Sequence, residues 1–449
     1  MFGHRNVTPL TTVRSNPYIT FLYYTMKLWG LAPFDLNNNM ISLGSWISNV
    51  YPIVFVLIFL PAAIGVHQMW TNQNYVGATI WLRNIHGLTS TLCYLAVITT
   101  GISIVKNKRI FVELIHLFVK VNGIKITSGL QVDYERKIKI LAIMIGFSII
   151  VRIFLNCLLV MSIQKYLQLS WLVTLLLIAY WNFRLVMHLA IISFASVIFL
   201  LKANLEKLQL TLMSIFGVGS ESIAMNKPRN GTWIHRKSAN IQVRDEVLKV
   251  GADPECIDDF KLFQMFDRLE KKYRDLHSLI EMSAKLFSPP MVTIISHYCV
   301  NLFANFYYTY NVSKGPTTFV QLFSETIGAQ YVCLSHLLDL LLIAWVCNAA
   351  QTRGNSMAVI LHEMWAKCHL NKLRDEIQIF SLQLLQKPLS ITIFGFFSLD
   401  NSLLYKIFCA TVAHLVIMVQ LDSSETDYAD NEIDQNPWNA TVSYWSKNA

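Results

Sequence analysis

KPLSITIFGFFSLDNSLLYKIFCATVAHLVIMVQL, residues 387–421, is the last apolar stretch of the chain, and its length decides the fold. Run as one helix from residue 388 to 420 it would reach roughly 50 Å at about 1.5 Å per residue, against a hydrocarbon core of about 30 Å. Such a helix must break. The polar pair Asp400-Asn401 is the natural place, because either side chain can accept a bond from the free N–H groups of a new helix. The remaining stretch, 401–421, has the length of one membrane span.

Within it Ser402, Lys406, Cys409, Ala413, Val416 and Gln420 recur at steps of four and three, so they share one side of a helix. Leu403, Leu404, Phe408, Leu415 and Met418 take the other side, suited to lipid or to further helices. A small and polar stripe inside a membrane faces protein or water. Periodicity alone does not separate close helix packing from a wetted wall.

Working outward, 449 residues with 54% hydrophobic and 14% charged positions describe an integral membrane protein rather than soluble domains, which average about 25% charged. The N-terminal segment has no signal-peptide pattern of apolar core and small-residue cleavage site. The eight cysteines are scattered without CxxC pairs, which argues against a disulfide framework and against a metal centre. Apolar runs of spanning length occur at 46–66, 85–105, 140–163, 171–201, 287–310 and 328–350; with the final helix they make seven.

The net charge of +9 is distributed by side rather than massed as for nucleic acid. Of the 37 Lys and Arg, 30 lie in residues 1–45 and in the long connections after the second, fourth and sixth spans, while only Arg83, Lys165, Lys314 and Lys447 fall on the opposite side. The positive-inside rule then puts the N-terminus in the cytosol and the C-terminus outside, which opposes a rhodopsin-type receptor. The long connections carry helical periodicity: Leu262, Met265, Phe266, Leu269, Tyr273, Leu276, Leu279 and Ile280 in one, Leu370, Leu373, Ile377, Phe380 and Leu384 in another. They read as helices extended out of the membrane, with a polar segment at 217–258 between. The short apolar stretch 27–34 reads as an interfacial helix.

Charged residues inside spans are costly and face protein or water. Arg152, Arg184 and Asp339 qualify, with His188, His297 and His336. One Arg-Asp pairing is available, but two arginines exceed one acid. No enzyme motif is present: His362-Glu363 lacks the second His of a zinc helix, and there is no Gly-rich phosphate loop. A transporter would show matching broken helices in two repeats, and only one break is found.

Gly395-Phe396-Phe397-Ser398-Leu399-Asp400, followed by Ser402-Leu403-Leu404, resembles the approach to the last helix of insect gustatory receptors. That helix carries Thr-Tyr, five apolar residues and Gln-Phe; here Ala413-His414 and Gln420-Leu421 keep the spacing and the Gln while Thr, Tyr and Phe are replaced. Gly30-Leu31-Ala32-Pro33-Phe34 is similar to the segment that opens many of these receptors. The resemblance implies a tastant-gated non-selective cation channel at the plasma membrane, a homo-tetramer or a hetero-tetramer with other such subunits, without cofactor or metal. An insect olfactory receptor channel and a metabotropic seven-span receptor are the alternatives.

The expected architecture is an all-α membrane protein of seven spans in five parts. These are a cytosolic segment 1–45; a bundle 46–350 with a ligand cavity and helical extensions; a cytosolic helix with the first part of the broken helix, 351–400; a pore helix 401–421; and an extracellular acidic tail 422–449. The cytosolic helices would form the anchor domain that the resembled family has. Four copies of the pore helix would present Cys409, Ala413, Val416, Gln420 and Leu421 to a central path, with Lys406 turned aside. The small-molecule tastant would lie among Tyr180, Trp181, Arg184, Tyr298, Asn301, Asn305, Gln330, Tyr331 and Asp339. Such aromatic, amide and acidic groups suit a polyol, and equally a nitrogenous base held by cation-π contact and a carboxylate. His414 predicts an acid-sensitive current, since an ordinary His titrates at about pH 6.5, and the acidic tail would concentrate cations at the outer mouth. Sequons at Asn311 and Asn439 lie outside in this topology and those at Asn6 and Asn230 inside.

Overall fold

The computed structural model describes residues 17–435, apart from residues 30, 33, 38, 39, 44–49, 124–127, 168–170, 217–258, 315–318 and 369 and most of 52–79. The expected first span at 46–66, the polar segment and the sequons at Asn6, Asn230 and Asn439 therefore lie wholly or mostly outside the described residues.

The described chain is almost entirely helical: α1 (Pro17–Leu28), α2 (Ile80–Lys106), α3 (Lys108–Gly123), α4 (Ser128–Leu167), α5 (Trp171–Phe216), α6 (Asp259–Ser313), α7 (Phe319–Lys367), α8 (Asn371–Gln386) and α9 (Asn401–Gln435). Two short antiparallel ribbons interrupt it, β1 (Phe34–Asn37) with β2 (Met40–Leu43), and β3 (Thr392–Ile393) with β4 (Phe397–Ser398). Five described helices contain a stretch long and apolar enough to cross a membrane by length and composition, within α2, α4, α5, α7 and α9. The expected fifth span, 287–310, is helical inside α6.

Helix α5 is the hub. From Tyr180 to Ile198 it is buried almost all round, and it packs against α4, α6 and α7 as well as α2. A helix apolar on every face belongs in the middle of a bundle. Helix α4 sits at the margin, with Ile143, Met144, Phe147, Ile150 and Phe154 all exposed, the stripe expected of a lipid-facing surface.

Helix α6 runs 55 residues, about 80 Å at 1.5 Å per residue, through a double proline, Pro289-Pro290. Proline has no N–H, so the carbonyl four residues before it loses its partner. The carbonyl of Leu286 is instead taken by the buried Ser103 hydroxyl of α2, at 3.0 Å. Nearby, Thr293 Oγ1 donates to the Pro290 carbonyl at 3.0 Å and lies 2.8 Å from Thr99 Oγ1. A hydroxyl from a neighbouring helix thus repairs the ladder at Leu286, as a low-dielectric setting demands.

The extensions have the expected periodicity. In α6, Phe266, Leu269, Tyr273, Leu276, Leu279 and Ile280 are buried, whereas Met265 is exposed. Leu373, Ile377 and Phe380 are the buried apolar side chains of α8, and Phe380 meets Phe266 and Tyr273 edge-on at 6.2 and 5.6 Å. Where water bathes these helices, each such side chain contributes roughly 1.5–3 kcal/mol.

Two expectations are corrected. Residues 388–400 are not the first part of a broken helix. Pro388 biases Lys387 out of the helical region, to φ −121 and ψ 75, and ends α8. The β-branched run Ile391-Thr392-Ile393 then extends, and Phe394 (φ 49) with Gly395 (φ 74) supplies the two left-handed residues of a tight hairpin turn, closed by Phe396 N–H on the Ile393 carbonyl at 2.9 Å. Nor is 27–34 an interfacial helix: α1 ends at Leu28, Leu31 and Ala32 are buried in the core, and Phe34 opens a strand.

The start of the last helix falls where the polar pair puts it, although no helix precedes it to be broken. Helix α9 starts at Asn401, and Asp400 Oδ1 accepts the Ser402 N–H at 2.8 Å while its two oxygens take the hydroxyls of Ser398 and Ser402, both at 2.5 Å. Those bonds hold the Asp400 carboxyl below its ordinary range. The helix continues past residue 421 to Gln435, so the described start of the acidic tail is helical.

Candidate functional site

Arg152 and Asn156 of α4, Trp181, Arg184 and Leu185 of α5, and Tyr331, Ser335 and His336 of α7 surround a recess with about 260 Å³ of space counted to its open mouth. Helical phase assembles it. Trp181, Arg184 and Leu185 lie at i, i+3 and i+4; Arg152 and Asn156 lie one turn apart; Tyr331, Ser335 and His336 share one face of α7.

Behind the recess sits Asp339, 2% exposed, with three donors converging on it. Arg152 Nη2 reaches Oδ1 at 2.7 Å and also donates to the Ser335 carbonyl at 3.1 Å. His188 Nδ1 donates to Oδ1 at 2.9 Å, and its Nε2 lies 2.9 Å from Ser148 Oγ. The Tyr298 hydroxyl donates to Oδ2 at 2.8 Å. A buried carboxylate is tolerated only when its lone pairs are engaged in this way.

Arg184 is treated differently. Its guanidinium lies over the Trp181 ring at 4.5 Å and the Tyr180 ring at 5.5 Å, and no carboxylate stands with it among the ion pairs of the described residues. Arg184 Nε and Trp181 Nε1 are buried without hydrogen-bond partners, as are both ring nitrogens of His336. His336 stacks on Tyr298 at 4.0 Å. His297 donates through Nδ1 to the Thr89 carbonyl at 3.0 Å, leaving its Nε2 unmet.

Of the nine residues expected around a ligand, Trp181, Arg184 and Tyr331 line the recess, Tyr180 lies beneath Arg184, and Tyr298 and Asp339 form the network behind. Asn301 and Asn305 are buried but not in its lining: Asn305 Nδ2 bonds Asn301 Oδ1 at 2.6 Å. Gln330 is exposed and donates to Thr326 Oγ1 at 2.9 Å. Arg152 and His336 stand out in the sequence as ionisable groups in spans, but not as part of a ligand set. Asn156, Leu185 and Ser335 go unnoticed there, although each lies within four residues of a noted position on its own helix.

The second candidate surface is α9. Cys409, Ala413, Val416, Gln420 and Leu421 are all exposed, as is Lys406. The opposite face is held by the rest of the chain: Leu403, Ile407 and Thr411 are buried, and Leu415 and Met418 pack beside Ala304 and Tyr307 of α6. Phe408, assigned to that face from the sequence, is 67% exposed. His414 is exposed, donates through Nδ1 to the Ala410 carbonyl at 2.7 Å and lies 6.3 Å from the Phe303 ring. Lys314, after α6, forms an ion pair with Asp422 of α9. Asn311, of the sequon at 311–313, donates to the Tyr307 carbonyl of its own helix at 3.1 Å.

Residues 19–425 match a family model described as 7tm chemosensory receptor. Among curated proteins, the chain is 25% identical over 176 residues to gustatory and pheromone receptor 32a of Drosophila melanogaster, covering 39% of this chain and 36% of that one. It is 31% identical over 103 residues to gustatory receptor 68a of the same fly, covering 23% and 26%. These alignments thus span about a third or less of the relatives' length. The fold is shared with the olfactory receptor OR5 from Machilis hrabei at a TM-score of 0.59 and 14% identity, covering 91% of this chain and 99% of that one. The same receptor in complex with eugenol gives 0.62 at 14% identity, covering 92% and 100%.

Proposed function

Because the chain belongs to the 7tm chemosensory receptor family, we propose that it is a gustatory receptor subunit of the plasma membrane: one of four around a non-selective cation pore opened by a small-molecule tastant. Family membership makes it a chemosensory receptor and not an enzyme. The observation that carries the channel reading is the division of α9 into a face buried on α6 and α7 and a face left open at Cys409, Ala413, Val416 and Gln420. Small and polar groups on an otherwise apolar membrane helix call for other subunits or a water path. In this reading 401–421 is the pore helix, Gln420 and Leu421 close its outer end, and Lys406 points aside. Seven spans run from a cytosolic N-terminus, supported by the distribution of Lys and Arg. The ends of α6 and α7 with α8 form the cytosolic anchor, and the recess around Arg184 receives the tastant.

The test is current through the full chain in oocytes, alone and with candidate partner subunits, with G-protein signalling blocked. A rapid tastant-evoked cation current that changes with Gln420→Ala supports the channel, and a response abolished by the block supports the metabotropic alternative. An olfactory role has support from the fold shared with OR5; activation by volatile rather than water-borne compounds would favour it.

A further inference from the structure

We propose that the recess among α4, α5 and α7 selects ligands bearing an anionic oxygen group, a carboxylate above all, and rejects ammonium compounds. The inference takes this recess as the tastant site proposed above and adds the sign of the charge that it accepts.

The charge balance is the first support. Two guanidinium groups, Arg152 and Arg184, line the recess, and the buried acid beside it is Asp339. That carboxylate is already occupied: Arg152 and His188 hold Oδ1, and Tyr298 holds Oδ2. A cationic ligand would find no open carboxylate there and would face Arg184. The second support is the set of unmet atoms. Arg184 Nε and Trp181 Nε1 can only donate, both are buried, and neither has a partner. A buried donor left unmet is costly, and charge-assisted bonds to a carboxylate are among the strongest available to it. His336, 2% exposed with both nitrogens unpartnered, adds a donor on the α7 side. The third support is the lining: the aromatic and apolar side chains of Trp181, Tyr331 and Leu185 stand beside these unmet donors, the pairing of apolar wall and few polar groups that ligand sites show.

The experiment compares benzoate, benzyl alcohol and benzylammonium, three probes with one ring and different charge, binding to the purified full chain in lipid nanodiscs by calorimetry at about pH 7. Benzoate is expected to bind at least about tenfold more tightly than benzyl alcohol, the worth of one charge-assisted pair, and benzylammonium not at all over the same range. Arg184→Gln should remove the preference for benzoate over the alcohol; Arg184→Lys, which keeps the charge without the fork, should retain part of it and serves if the Gln variant does not fold. Equal binding of alcohol and acid, tighter binding of the ammonium compound, failure of all three to bind, or an unchanged preference in both variants would overturn the assignment. Benzoate binding with Arg184-dependent preference but no current in oocytes would uphold the site and sink the channel. A current evoked by ammonium tastants, which benzoate neither evokes nor blocks, would do the reverse.

Discussion

Tyr298 of α6 donates its hydroxyl to Asp339 Oδ2 of α7 at 2.8 Å, with both side chains essentially removed from solvent. The bond joins two long helices at the back of the recess, and Arg152 and His188 complete the same carboxylate from α4 and α5. Four helices thus share one acid.

Removing that acid should cost more than removing any one donor. Asp339→Asn strands Arg152 in the bundle, and breaking a buried pair costs about 3–5 kcal/mol. Tyr298→Phe loses one bond to a charged group, worth about 1.5–3 kcal/mol. Thermal unfolding of the purified protein should rank wild type above Tyr298→Phe above Asp339→Asn; equal melting of Asp339→Asn and wild type would show the network to be dispensable.

The hairpin docks through a close approach. A methyl group on Gly354 of α7 would come within 2.4 Å of Leu389 Cδ2, and Asn355 pins the same residue with bonds of 2.7 Å to its N–H and 3.1 Å to its carbonyl. Gly354→Ala should therefore destabilise by about 1–3 kcal/mol through overpacking. Leu389→Ala in the same chain should recover part of the loss, giving a favourable coupling in a double-mutant cycle. Strict additivity would mean that the contact does not hold the hairpin.

Lys272 of α6 is 4% exposed, and burial first, then the charge of Lys207, lowers its pKa to about 8. The unfolded chain, with an ordinary lysine at about 10.4, binds more protons than the folded one between these values, so stability should rise from about pH 8 to pH 10.4 and stay level below. Lys272→Met should flatten that rise and add on the order of 1–3 kcal/mol at neutral pH. Denaturation curves across this range check both signs; a lower stability of Lys272→Met at pH 7 would point to an attractive partner for the ammonium group.

Asp400 starts α9, and its loss acts at one end of that helix. Asp400→Ala should cost about 1 kcal/mol. Because the folded pKa lies below the ordinary carboxylate value, the contribution is present above about pH 4 and fades as the pH falls through the folded value. Hydrogen exchange of the Ser402 and Leu403 amides should speed up in the variant while α7 is unaffected. No change there would leave the cap without a role.

Much of this architecture is legible in residue order because helical phase repeats over long stretches. The start of α9 at Asn401 follows from one polar pair, and the Arg-Asp pairing from the scarcity of charge in spans. The hairpin at 392–398 is harder to see. Apolar runs of this length fit strand or helix alike, and the decisive event is a phenylalanine held at φ 49, which a bulky side chain rarely adopts. The recess is legible in part for a similar reason: Trp181 and Arg184 announce themselves by chemistry, whereas Asn156, Leu185 and Ser335 matter only through which helix faces which, a tertiary fact. Counting charges does disclose the surplus guanidinium, but not which arginine it is.

The proline pair in α6 separates that helix into two levers on one axle. Below it, Phe266 and Tyr273 are clasped by α8; above it, Tyr298 touches the acid behind the recess, and Ala304 and Tyr307 bear on Leu415 and Met418 of α9. Bending at Pro289-Pro290 meets less resistance than elsewhere in the helix, since neither proline has an N–H to give, and the grip of Ser103 on the Leu286 carbonyl is a single hydroxyl. Any bend there would swing Tyr298, Ala304 and Tyr307 together against the wall of α9, while Phe266 and Tyr273 stay clamped by α8.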